Sequence, residues 1–170
     1  PLYGFTLVGN YFLGFQILAL LSIIPGIIFK YTLPEDSTNI STTKLKLITI
    51  LVSVILAVIA IITAPILLPI IYPKYIESLD LIPIMSLAVI PTTISNMIIS
   101  KLLGKEQSKY VLFGWVVSLS TLVLGVLVLG EIWGVIGLAT AYVLAYSIQA
   151  IYFVLINNYW NKKESQLNFT

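Results

Sequence analysis

Apolar residues fill five stretches of this chain that contain no charge at all: residues 1–29, 47–73, 81–100, 110–130 and 132–161. Every Asp, Glu and Lys lies between or after them. A hydrocarbon core of about 30 Å needs roughly 20 apolar residues at 1.5 Å rise, and a helix satisfies its own backbone there. Each stretch is long enough. The pattern predicts an all-α, polytopic transmembrane bundle of five spans, helices A to E, at about residues 5–29, 47–72, 79–102, 109–130 and 132–156.

Composition sharpens this reading. Charged residues are 9% of the chain and apolar ones 59%, whereas a globular domain that must wet its whole surface is about a quarter charged. Five spans in 170 residues leave no room for a water-soluble domain. Cys and His are both absent, which removes disulfides, thiol nucleophiles, thiolate or imidazole metal sites and imidazole acid–base chemistry. The expectation is therefore no enzyme, no catalytic residue, no cofactor and no metal. All nine basic residues are Lys, without a stripe that could follow a nucleic acid. The chain opens on Pro1 and lacks a signal-peptide pattern, so it reads as the later part of something longer.

Loop charge predicts orientation, because short cytoplasmic loops collect Lys. Lys30, Lys44, Lys46, Lys101, Lys105, Lys109, Lys162 and Lys163 fall on one side of the alternating spans, and Lys74 alone on the other. The expectation is a cell-membrane, multi-pass protein that begins outside and ends in the cytoplasm. The sequons at Asn39 and Asn168 then face the cytosol and stay unmodified. Glu77, Asp80 and Glu131 read as solvated charges at the outer face, and Trp133, Tyr159 and Trp160 as interfacial anchors.

The stretch ITAPILLPIIYPKY places Pro65 and Pro69 in the last two turns of helix B and Pro73 in the following connection. Proline removes a backbone donor and crowds the preceding turn. The helix is expected to cross, bend and then break at its outer end, with Pro65 and Pro69 as hinge candidates beside Pro91 in helix C. The alternative is that prolines are simply common in membrane helices.

Helix C is polar along one face. Ser86, Thr92, Thr93, Asn96 and Ser100 fall within an arc of about 120°. Lipid offers such groups no partner, so they meet either neighbouring helices or a water-filled passage. Gly114, Ser118, Thr121 and Gly125 on D, and Gly134, Gly137, Ala141 and Ala145 on E, form small-residue stripes for close helix approach. Tyr142, Tyr146 and Gln149 lie beside the second stripe, as core packing or as contacts for a sugar. Asn10 and Gln16 share no stripe and receive no site.

Several segments resemble a known family. Val8-Gly9 with Tyr11, Leu33-Pro34-Glu35, Ile71-Tyr72 with Tyr75, and Leu103-Gly104-Lys105, in this order and spacing, are similar to the second half of polysaccharide flippases. These belong to the multidrug, oligosaccharidyl-lipid and polysaccharide exporter superfamily. The chain departs from the pattern at Pro73, where the family often has Gly, and at Asp36-Ser37-Thr38, where it has a basic residue. The resemblance implies one part of a two-lobe transporter that moves a lipid-linked oligosaccharide by alternating access. Its partners would be membrane lipid, that substrate and a missing N-terminal lobe, with no nucleic acid. A drug or ion antiporter of the same superfamily, a membrane glycosyltransferase or ligase component, and a non-transporting scaffold remain as alternatives. No charged residue sits at predicted mid-membrane depth, so a substrate pyrophosphate would need cations from the other lobe.

Overall fold

The computed structural model describes residues 5–38, 42–71 and 80–167. These residues form helices and turns, with no strand among them. The helices are α1 (Phe5–Leu21), α2 (Ile23–Ser37), α3 (Thr43–Ile71), α4 (Leu81–Leu87), α5 (Val89–Gly104) and α6 (Ser108–Leu167).

Burial is inverted relative to a water-soluble protein, and α3 shows it most plainly. Its buried positions are Thr49, Ser53, Ala57, Ala60, Ala64 and Leu68, nearly all small. The exposed ones include Leu47, Leu51, Ile55, Val58, Ile62 and Ile66. Water would penalise that outer face heavily, at about 25 cal/mol for each Å² of apolar surface. In lipid it costs nothing, and small residues on the inner face let backbones approach closely. Three helical segments, Thr43–Ile71, Leu81–Gly104 and Ser108–Lys162, are long and apolar enough to cross a membrane, and the bent pair formed by α1 and α2 makes four.

Two expected single helices carry an irregular residue, and one of them bends. Helix A turns by 48° where α1 gives way to α2, whereas helix C stays one span over Leu81–Gly104, with Ala88, itself at helical φ and ψ, as a single turn residue between α4 and α5. Each joint lies three residues before a proline, Pro25 and Pro91. The missing N–H of Pro25 leaves the carbonyl of Leu21 without its helical donor, and that of Pro91 does the same to Leu87. At the first joint the Ser22 hydroxyl donates to the Leu18 carbonyl at 2.8 Å, a local bond that favours a bend. The second helix of the pair also continues to Ser37, well past the expected end near residue 29.

The hinge candidates of helix B behave differently. Helix α3 runs unbroken through Pro65 and Pro69 to Ile71, with both rings on the exposed face. Pro73, and with it the expected break after helix B, lies outside the described residues, as do Lys74, Glu77, Asn39 and Asn168.

Helices D and E emerge as the two arms of α6, residues 108–133 and 135–167, which fold back on each other at Gly134. Gly134 has φ 56° and ψ −126°, a combination that excludes a side chain. A Cβ there would meet nothing within 4 Å, so Gly134 reverses the chain instead of joining the packing stripe assigned to it. The other stripe residues do pack. A Cβ on Gly125 would lie 2.8 Å from that of Ala141. One on Gly137 would collide with the backbone oxygen of Leu129, and one on Gly114 with the ring of Phe153. Ala145 and Phe153 are fully buried in this seam.

Candidate functional site

The polar groups of the bundle converge at the end opposite Gly134. Helices α2 and α3 meet there with α5 between α3 and the second arm of α6. Asp36, in the last turn of α2, accepts hydrogen bonds from Thr42 at 2.7 Å, from Ser100 of α5 at 2.5 Å and from Lys46 of α3 at 2.5 Å. Ser100 also bonds to the Thr32 hydroxyl at 3.2 Å. The ion pair is largely covered, with the Asp36 and Lys46 side chains 8% and 16% exposed. One carboxylate thus ties three helices together.

Local sequence explains why it can. Thr32, Asp36 and Ser37 lie on the final turns of α2, and Gly104 closes α5 beside them. A Cβ at Gly104 would fall 2.8 Å from the Asp36 backbone carbon and 2.9 Å from the Ser37 nitrogen. Only a glycine lets α5 come this close to the turn that carries the carboxylate.

Beside this knot opens a cleft of about 550 Å³. Its polar lining is Asp36, Thr42, Thr43, Lys46, Lys101, Lys105, Asn157 and Asn161. Its apolar lining comes from Leu47, Ile50, Ile94, Met97, Ile98 and Val154. Lys101 donates to the amide oxygens of Asn157 at 3.0 Å and Asn161 at 2.6 Å, which clamps α5 to the second arm of α6. Three lysines and one aspartate therefore share one concave surface. Gathering Lys46, Lys101 and Lys105 at one end agrees with the grouping read from loop charge.

The structure separates the residues expected on the polar face of helix C. Ser86, Thr93 and Ser100 are fully buried, seven residues apart, while Thr92 and Asn96 are half-buried. Thr92 and Thr93 donate back to carbonyls of their own helix, Thr92 to Ala88 at 2.8 Å and Thr93 to Val89 at 2.7 Å. Ser100 reaches across to α2. Among the described residues, the hydroxyls of Ser86 and Ser95 have no hydrogen-bond partner. Pro91 is half-buried just after the joint at Ala88.

Tyr142 and Tyr146 stack with ring centroids 4.5 Å apart, and Phe15 of α1 meets Tyr142 edge-on at 6.0 Å. Gln149 is buried and donates to the Gly114 carbonyl at 3.4 Å, bracing the two arms of α6. Tyr142 and Tyr146 join α1 to α6, and none of the eight polar candidates lines the cleft. Trp160, read as an interfacial anchor, is half-buried against Tyr110 with centroids 6.0 Å apart, whereas Trp133 and Tyr159 are exposed.

Sequence reasoning passed over Asp36, Lys46 and Lys101 as loop charges. The segment after helix A was read as a loop, yet it is helical up to Ser37 and again from Thr43. A usable signal existed, since Thr32, Asp36 and the small residues Thr49, Ser53 and Ala57 recur at four-residue spacing. No protein-family model, curated protein or solved structure matches the chain.

Proposed function

We propose that the chain is one wall of a two-lobe membrane transporter that moves a lipid-linked oligosaccharide across the cell membrane by alternating access. In this reading the jointed helices α1–α2 and α4–α5 each cross once, α3 crosses once, and the two arms of α6 cross separately. The five spans start outside, and the cleft end and C-terminus face the cytoplasm.

The observation that carries the transport reading is the 48° bend at Ser22, where α1 gives way to α2. A broken helix frees backbone carbonyls that lipid cannot satisfy, so membrane proteins place such breaks against protein or a hydrated passage. Transporters build their substrate sites and moving parts around discontinuous helices of this kind. The substrate class rests on the resemblance of the Leu33-Pro34-Glu35 and Leu103-Gly104-Lys105 segments to polysaccharide flippases.

Alternating access needs two bundles rocking about a shared interface. The chain alone in liposomes should leave a fluorescent lipid-linked oligosaccharide in its starting leaflet, whereas the chain joined to its first lobe should move it. Rapid flipping by the chain alone would overturn the two-lobe reading. No flipping by the joined, folded protein would overturn the flippase assignment.

A further inference from the structure

We infer that α2 is a lever, hinged at the bend between Ser22 and Gly26 and latched at its far end by Asp36, and that release of the latch lets it swing away from α3 and α5. The inference builds on the bend that the transport reading uses. Its test reads the position of α2 and not transport, so either can fail alone.

The hinge is weak in its backbone. Pro25 has no N–H, so the Leu21 carbonyl loses its helical donor at the bend. The Ser22 N–H is shared between the carbonyls of Leu18 at 3.0 Å and Ala19 at 3.2 Å, instead of joining a regular ladder. Gly26 follows, with the freest backbone of any residue type, and nothing lies within 4 Å of the place its Cβ would take. This stretch has both a missing bond and room to change direction.

Little holds α2 along its length. Of its 15 residues, Pro25 and Thr32 are buried, whereas α5 buries seven of 16. One of the two sits at the hinge and the other a turn before Asp36. Between them Phe29 packs, half-buried, on the cluster that contains Ile99 and Leu102, and among the described residues no other side chain of α2 joins an apolar cluster.

The polar knot at the tip is therefore the main fastening. Thr42, Lys46 and Ser100 all donate to Asp36, at 2.5–2.7 Å. From Ser22 to Asp36 the arm is about 21 Å long, so a rotation of about 10° moves its tip by about 4 Å. Hydrogen bonds of this length do not survive such a step, and because they share one carboxylate they are lost together. Gly104 lies against the backbone of Asp36 and Ser37, so the tip can leave α5 but cannot come closer to it. Asp36, Thr42 and Lys46 also line the cleft, so the swing widens the cleft on the side of the knot.

The test is double electron–electron resonance on the detergent-purified protein. One pair of spin-labelled cysteines, at Ser37 and Asn158, follows the tip of α2, and a second, at Lys44 and Asn158, follows α3 against α6; all three positions are exposed. Asp36→Asn keeps the size of the side chain but removes the charge that holds Lys46. In that variant the Ser37–Asn158 pair should gain a second distance about 4 Å from the first, while the Lys44–Asn158 pair keeps its single distance. Adding Gly26→Ala, which stiffens the hinge without a collision, should reduce the displaced population about two- to fivefold. An unchanged Ser37–Asn158 distance in Asp36→Asn would overturn the latch. Equal displacement of both pairs would mean that the whole inner end loosens, and a displaced population indifferent to Gly26→Ala would mean that the movement does not occur at the bend; either result overturns the lever.

Discussion

Cutting the carboxylate out of the inner knot should cost far more than removing the whole ion pair. Asp36 and Lys46 are mostly covered, and Thr42 and Ser100 donate to the same carboxylate. Asp36→Leu would strand the Lys46 ammonium in a covered site and leave two hydroxyls without their acceptor. Breaking a buried pair from one side costs about 3–5 kcal/mol, and each lost hydrogen bond to a charged group about 1.5–3 kcal/mol. Water entering the neighbouring cleft and the residual exposure of Lys46 reduce the sum, so the expected loss is about 3 kcal/mol. For a chain of 170 residues that corresponds to a fall in melting temperature of roughly 6–12 °C. Lys46→Met alone should cost a similar amount. The double variant Asp36→Leu, Lys46→Met should recover most of the loss, because two apolar groups need no partner. Intrinsic tryptophan fluorescence during heating in detergent measures all four proteins, and the double-mutant cycle isolates the coupling. Additive effects of the two single substitutions would refute the idea that the charges hold each other inside the bundle.

The remaining expectations concern the α6 hairpin and the topology. Gly137→Ala should destabilise by about 1–3 kcal/mol, because its Cβ would collide with the Leu129 carbonyl, a backbone atom that cannot rotate away. Gly26→Ala, with nothing within 4 Å of the new Cβ, should match or slightly exceed the wild type; thermal melts that place both variants together would show the hairpin is looser than described. Because the chain has no Cys, single cysteines report topology without background. Cysteines at Ser37 and Gln107 should be shielded from an impermeant thiol reagent in intact cells and one at Ser78 should react; labelling at Gln107 from outside would reverse the orientation.

Much of the fold was legible because membranes impose a coarse rule. Charge-free runs of about 20 residues become helices, and charges mark their ends. The outer limits of α4 and α5 taken together, the start of α6 and the division of α6 into two arms follow from it to within a few residues. The joints were harder to place, although their cause is local. Pro65, Pro69 and Pro91 drew the expectation of a hinge, while the 48° bend forms before Pro25, which drew none. A proline always deletes one hydrogen bond, but whether the helix then opens depends on its surroundings. The rings of Pro65 and Pro69 face outward, where no neighbouring helix presses on them. Pro25 is buried, so packing at that bend takes up the new direction of the chain.

The candidate site was less legible for a reason of distance. Ser100 was read as part of the polar arc of helix C, but its partner Asp36 lies 64 positions away in a segment taken for a loop. Loop assignment followed from charge, and charge alone cannot distinguish a solvated carboxylate from one whose helix carries it into a bundle. The deciding feature is Gly104. It permits the end of α5 to touch the backbone of α2 at Asp36 and Ser37, and that approach brings Ser100 within reach of the carboxylate. The same approach fixes the wall from which Lys101 and Lys105 enter the cleft. In the flippase resemblance Leu103-Gly104-Lys105 was a short sequence motif. In the folded bundle its glycine and lysine do separate physical work, one admitting a neighbouring backbone and the other charging a cleft.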